Sequence, residues 1–62
     1  MRKIDEMVLD LLKDIYPLSL DVEEIADLCG YDMVLVKKCT VNLLKEGRIT
    51  IDEGDKYSYK KD

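Results

Sequence analysis

The feature that most restricts the fold of this chain is a tight turn near its centre. Gly30 ends one amphipathic pattern and Met33 begins the next, so only Tyr31 and Asp32 lie between them. Glycine adopts the left-handed conformation after a helix without steric penalty, and aspartate is a favoured residue at the start of a helix. The spacing therefore predicts two consecutive helices joined by a tight turn.

The first of these two helices is short, and the second is longer. Asp21 precedes the short helix, and Glu24 follows it by three residues, which is the spacing of a capping box. The longer helix is predicted over 33–46, with Gly47 after it. With Val36 facing the core, the helical repeat directs Thr40, Leu43 and Gly47 inward, with Met33, Cys39 and Leu44 beside them.

An additional helix is predicted at the start of the chain, over 4–16. Pro17 ends it, because proline disfavours the helical conformation of the residue before it. Its apolar residues recur at helical spacing along one stripe. They are Ile4, Met7, Val8, Leu11, Leu12 and Ile15.

After the third helix, the pattern changes to alternation with a period of two. Residues 48–52 and 56–60 both alternate, and the Gly-containing segment 53–55 lies between them, which predicts a β-hairpin. Residues 18–20 also alternate and can add a short strand at the edge of the hairpin. The predicted fold class is α+β, mainly α, in a single domain over 1–62.

The composition argues against catalysis. The chain has no histidine, and its two cysteines, Cys29 and Cys39, are too few for a structural zinc site. We therefore expect no enzyme activity, no cofactor and no metal. The cysteines are either buried thiols or one disulfide-forming pair, and an intracellular setting favours the thiols.

The distribution of apolar residues predicts a soluble, cytoplasmic protein. No apolar run approaches the roughly 18 residues that a membrane span requires. The segment that starts at Met1 becomes acidic at Asp5 and contains no apolar signal-peptide region. We therefore expect no membrane contact.

Two stretches resemble the winged helix-turn-helix superfamily. Residues 21–32 (DVEEIADLCGYD) are similar to its short helix with Ile-Ala, followed by glycine and a turn. Residues 43–49 (LLKEGRI) are similar to its passage from the recognition helix into the wing. The resemblance covers about 4–60 and is strongest to small prokaryotic, archaeal or viral proteins. It implies a winged helix protein that binds double-stranded DNA, a transcriptional regulator with the helix 33–46 in the major groove.

The same resemblance places the outward-facing residues of the third helix against DNA. Lysines there would neutralise phosphates, Asn42 would pair with an adenine edge, and the valines would meet thymine methyl groups. The tip of the wing carries Asp52, Glu53 and Asp55 where the family usually shows basic residues, so Lys56 is the best candidate contact in the wing. The predicted DNA contacts are Val34, Lys37, Lys38, Val41, Asn42, Lys45 and Lys56.

Charge is distributed unevenly along the chain. The whole chain has 10 basic and 14 acidic residues, a net charge of −4 that disfavours nucleic-acid binding. Residues 1–32, however, carry three cations and nine anions, a net of −6, whereas 33–62 carry seven cations and five anions, a net of +2. The half that would meet DNA is thus mildly basic, which favours the DNA-binding interpretation.

The apolar residues on the same helix face leave a second function open. Val34, Leu35 and Val41 would suit a protein partner in a winged helix interaction module of a replication or assembly factor, without appreciable DNA binding. The lysines would then be ordinary solvated side chains. A homodimer is a further expectation, because helix-turn-helix regulators often dimerise to match two half-sites.

Overall fold

The computed structural model describes residues 3–61 of the chain. Three helices are followed by a two-stranded antiparallel hairpin, an α+β and mainly helical layout that is compatible with a winged helix and confirms the predicted fold class. No helix within 3–61 is long and apolar enough to cross a membrane. The elements are α1 (Ile4–Asp14), α2 (Val22–Cys29), α3 (Met33–Lys45), β1 (Ile49–Ile51) and β2 (Tyr57–Tyr59).

Helix α1 differs from the sequence prediction at its end and on its buried face. It ends at Asp14 rather than Tyr16, and the Tyr16 amide closes a turn by donating to the Lys13 carbonyl at 3.3 Å. The chain tightens into this turn before Pro17, which has no amide with which to continue the helix. Leu9 lies outside the predicted stripe but is buried, since α1 packs against α2, α3 and β2 and its buried arc is wider than one stripe.

Helix α2 has the capping box that the sequence predicts. The Glu24 amide donates to Asp21 Oδ1 at 2.8 Å, and the Asp21 amide donates to Glu24 Oε1 at 3.1 Å. Gly30 adopts the left-handed conformation, with φ of 76°, and its amide donates to the Ala26 carbonyl at 2.8 Å. The boundaries of α2 were thus determined by local residues that could be identified in the sequence.

Helix α3 begins and ends in a similar way. The Val34 amide donates to Asp32 Oδ1 at 2.8 Å, which makes Asp32 the N-cap as predicted. The helix ends at Lys45, one residue before the predicted end at Glu46, and Gly47 follows in the left-handed region with φ of 72°. Gly47 is exposed instead of facing the core as predicted, because the helical repeat does not extend past Lys45.

The core is formed by one face of each helix together with the hairpin. Val36, Thr40 and Leu43 are fully buried, as the helical repeat predicts, whereas Met33 is 49% exposed and does not belong to the core. The buried Thr40 hydroxyl donates to the Lys37 carbonyl at 2.9 Å, which removes the cost of an unpaired polar group. The buried hydrophobic residues are Val8, Leu9, Leu12, Ile25, Ala26, Val36, Cys39, Leu43, Ile49 and Tyr57.

The hairpin has the predicted pairing with shorter strands. Strands β1 and β2 cover three residues each, and Ile49 pairs with Tyr59 and Ile51 with Tyr57. The predicted third strand over 18–20 is reduced to one β-bridge between Leu20 and Tyr57, with backbone hydrogen bonds of 2.9 and 2.7 Å. We call the hairpin, residues 49–59, the wing.

The tip of the wing is held by one of its own carboxylates. Asp52 Oδ1 accepts hydrogen bonds from the Gly54 amide at 2.9 Å and from the Lys56 amide at 3.0 Å. Asp55 occupies the left-handed region with φ of 59°, the conformation of the last residue in a common three-residue hairpin loop. Asp52 is therefore a turn-forming residue, and the other two acidic residues of the tip, Glu53 and Asp55, are exposed.

Both cysteines are free thiols. Cys39 is buried, and that burial, together with a hydrogen bond to Asp5 and the charges of Asp5 and Cys29, raises the pKa of its thiol to about 12. Burial also raises the pKa of the Cys29 thiol. Neither thiol is therefore activated as a nucleophile, because the reactive form of cysteine is the thiolate.

Candidate nucleic-acid interface

The exposed face of α3 carries six of the seven residues that the sequence singled out as DNA contacts. They lie opposite the buried line of Val36, because helical residues three and four positions apart share a face. Val34 is 62% exposed and Val41 is 41% exposed, which is unusual for two valines on one helix face. The polar members of this face are also exposed, and they are Lys37, Lys38, Asn42 and Lys45.

Five of these residues border one shallow depression with a volume of about 480 Å³. Its lining is Val34, Lys37, Lys38, Val41 and Asn42. The structure thus brings together five of the seven predicted site residues, and we call this surface the α3 face, with Lys45 included. Lys45 lies one helical turn beyond Val41 and outside the depression.

The lysines of the α3 face are available for binding an anion. Within residues 3–61, no carboxylate lies within 4.0 Å of the Nζ atoms of Lys37, Lys38 or Lys45. Each ammonium group therefore keeps its charge exposed to solvent, where a phosphate could replace water as its partner.

A second depression, of about 500 Å³, separates the α3 face from the tip of the wing. Lys37 lines this depression as well as the first, so it stands at the boundary between a cationic and an acidic surface. The acidic contribution comes from Asp21 and Glu23 at the start of α2 and from Asp55 in the wing. An anionic ligand on α3 would therefore be attracted by the lysines and repelled from the wing side.

Lys56 lies outside both depressions. Its Nζ is 4.0 Å from Glu24 Oε1, and both side chains are about half exposed. A pair of this kind contributes little to stability and can be replaced by another anion. The predicted role of Lys56 as a DNA contact thus remains a prediction, separate from the α3 face.

Sequence reasoning missed two apolar residues beside the α3 face. Met33 and Val22 line a further depression together with Val34 and Lys37, which extends the apolar surface toward the start of α2. The position of Met33 in the first turn of α3, directly after the N-cap, could have indicated that it lies at the margin of the core.

Comparisons with protein-family models, with curated proteins and with solved structures found no match for this chain. The chemistry of the site therefore rests on its own side chains. Among residues 3–61, no group of three or more His, Cys, Asp or Glu side chains is placed to hold a metal ion. The α3 face offers ammonium groups, one amide and aliphatic carbons, which together suit binding of a polyanion with an apolar component.

Proposed function

We propose that this chain is a small winged helix protein that binds double-stranded DNA, inserts α3 into the major groove and regulates transcription in the cytoplasm. The observation that carries the proposal is the shared depression on α3, where two lysines, one asparagine and two exposed valines lie side by side. A major groove offers phosphates at its edges and base edges with thymine methyl groups on its floor. The α3 face offers a partner for each.

The three lysines would supply most of the affinity. Each phosphate contact releases condensed counterions, so binding weakens as salt rises. Lys37, Lys38 and Lys45 extend along α3 from its second turn to its last residue. Contacts in the second turn and at the end of the helix would hold it along the groove, in the way that phosphate contacts position a recognition helix.

Asn42 and the valines would supply sequence preference. An asparagine amide can donate to and accept from an adenine edge at the same time, and each such pair is worth about 1–3 kcal/mol of discrimination. Val34 and Val41 flank the same depression and would contact thymine methyl groups. We therefore propose a site that contains A·T base pairs.

The overall acidity of the chain is compatible with this function because the charges are segregated. The net charge of −6 belongs to residues 1–32, which contain α1 and α2, whereas 33–62 carry +2. An uneven field would orient the protein with α3 toward DNA and its acidic half away from it. The wing tip is an exception to this segregation of charge, since its acidic residues Glu53 and Asp55 would lie on the side that faces DNA.

A salt titration of binding to a labelled duplex tests the proposal. With three lysine contacts, the logarithm of the affinity should fall with the logarithm of salt concentration with a slope of about −2.7. Binding should therefore weaken by about 40-fold between 50 and 200 mM salt. Negligible binding at about 50 mM salt, where the electrostatic contribution is large, would contradict the proposal.

A second candidate function is a winged helix module for protein interaction. It is favoured by the exposure of Val34, Leu35 and Val41, at 62%, 42% and 41%. Val34 shares one depression with Val41 and another with Met33, so these three residues form an apolar surface that a partner protein could cover. The salt titration separates the two functions, because this one predicts negligible affinity for DNA at low salt.

A further inference from the structure

The α3 face is one part of a larger surface that carries both signs of charge. The depression of about 500 Å³ beside it is lined by carboxylates from the start of α2 and from the wing tip. Glu23 and Asp55 are both exposed, and within residues 3–61 no lysine or arginine nitrogen lies within 4.0 Å of either carboxylate. Asp21 is less available, because one of its oxygens caps α2. Two carboxylates of this depression can therefore accept a cation from another molecule.

An apolar strip joins the acidic depression to the α3 face. It borders a depression of about 300 Å³ lined by Val22, Met33, Val34 and Lys37, which shares residues with both of its neighbours. Met33 is 49% exposed and Val34 is 62% exposed. The stem of Lys37 is long and flexible, so its ammonium group can extend out of the strip. We call the acidic depression, this strip and the α3 face together the mixed surface.

The mixed surface is complementary to a second copy of itself. A two-fold axis along the apolar strip lays the cationic part of each copy on the acidic part of the other, so the same favourable contact forms twice. The apolar residues of the two strips meet at the axis and are removed from water. DNA, which is uniformly anionic, matches the cationic part alone. A second copy therefore matches the whole surface in charge and in apolar character.

We propose that two copies of this chain pair through the mixed surface and form a closed dimer in which α3 is covered. The pairing brings Lys38 of each copy toward Glu23 and Asp55 of the other. It differs from the dimers that match two DNA half-sites, because those leave the recognition helix exposed. The pairing does not rest on DNA binding, but it competes with DNA for the α3 face.

Sedimentation velocity of the intact chain, without DNA, tests the pairing. Salt at about 150 mM screens the net charge of each copy beyond about 8 Å and leaves close charge pairs in place. The mean mass should rise with protein concentration from the 7.2 kDa of one chain and stop at twice that value. Val34→Asn should weaken the pairing by more than about tenfold, because an apolar contact is lost from both copies. Leu18→Asn is the matched control, since Leu18 is exposed to a similar extent, 67%, but lies outside the mixed surface, and this variant should pair like the wild type.

Charge reversal tests the arrangement of the two copies. Lys38→Glu and Glu23→Lys should each prevent pairing, because each places like charges opposite one another in both contacts. An equimolar mixture of the two variants should form a mixed dimer, since both of its contacts again join opposite charges. Lys13→Glu and Asp14→Lys are the matched controls. They make the same changes of net charge at exposed positions of α1 outside the mixed surface, so each should pair like the wild type.

Four results would overturn the proposal. They are a wild type that stays at the mass of one chain, a mass that exceeds two copies, a mixture that fails to pair, and control variants that lose pairing as fully as the variants of the mixed surface. None of these measurements contains DNA, so their outcome is separate from that of the salt titration.

Discussion

Helices α2 and α3 begin and end in the same way. An aspartate side chain, Asp21 or Asp32, accepts a backbone hydrogen bond at the start of each helix. A glycine in the left-handed conformation, Gly30 or Gly47, follows each end. Because these residues determine only where a helix starts and stops, they leave the rest of its surface free to differ.

The exposed surfaces of the two helices are in fact opposite in charge. Helix α2 presents carboxylates and helix α3 presents ammonium groups, while the inward side chains of both are apolar and buried in the same core. The difference shows that the solvent-facing positions, which contribute little to folding, are the ones that can specify a ligand. The exposed charged residues are Glu23, Glu24 and Asp27 on α2 and Lys37, Lys38 and Lys45 on α3.

The largest expected effect comes from removing this charge difference. Lys38→Glu with Lys45→Glu should abolish binding to duplex DNA, because two phosphate partners are replaced by repulsive carboxylates. Fluorescence anisotropy with a labelled duplex at 50 mM salt would measure the loss. Circular dichroism should show an unchanged fold, since both lysines are exposed.

The control for that double variant is Lys3→Glu with Lys13→Glu, which reaches the same net charge through two exposed residues at the ends of α1. It should bind DNA with an affinity within a few-fold of the wild type. If both double variants lost binding equally, the overall charge and not the α3 face would be responsible.

The second prediction concerns the buried sides of α2 and α3. Removing a buried side chain should destabilise the fold to a similar extent in either helix. Ile25→Ala in α2 and Leu43→Ala in α3 each empty a fully buried position, and each should lower the free energy of unfolding by about 2–5 kcal/mol. Val34→Ala on the exposed face should change it by less than about 0.5 kcal/mol. Urea titrations at about 10 °C would measure all three.

The third prediction separates the two N-caps. Asp21→Ala and Asp32→Ala should each cost about 1 kcal/mol, because each leaves a backbone amide without its partner. Glu24→Ala should also lower the free energy of unfolding, by a fraction of that amount, because its side chain forms the reciprocal bond of the capping box. Helix α3 has no such bond. Equal costs for Glu24→Ala and an exposed control such as Glu23→Ala would contradict a role for that bond.

The smallest effect is expected at the wing tip beside α3. Glu53→Gln with Asp55→Asn should strengthen DNA binding a few-fold at 50 mM salt, because two carboxylates near the polyanion lose their charge. Asparagine also tolerates the left-handed backbone at position 55, so the turn should be preserved. The gain should disappear at 500 mM salt, and a gain that persisted there would indicate a different cause.

Features that depend on neighbouring residues along the chain could be predicted from the sequence. The capping box at Asp21 and Glu24, the N-cap at Asp32 and the left-handed Gly30 are all present. Each is determined by the conformational preference of one residue or by one side-chain bond to a nearby amide. The orientation of α3 was predictable for the same reason, since Val36, Thr40 and Leu43 follow the helical repeat.

Features that depend on packing between distant segments were less predictable. Leu9 is buried although the apolar stripe leaves it out, because α1 also packs against β2, which follows it by nearly fifty residues, and Leu9 lines a depression together with Tyr59 of that strand. Leu18 was expected in a strand but is 67% exposed, since only Leu20 reaches β2. The shared depression on α3 was partly predictable from the sequence. The helical repeat predicts which residues share this face, but it does not predict that they line a concave surface.

The burial of Cys39 has a consequence for measuring motion in this molecule. With a pKa of about 12, only about one thiol in ten thousand is ionised at pH 8 while the fold is closed. In a Cys29→Ser background, an alkylating reagent would then modify the protein only during the moments when Cys39 leaves its place beside Asp5. The alkylation rate would therefore record how often α1 and α3 separate, with a native residue as the probe.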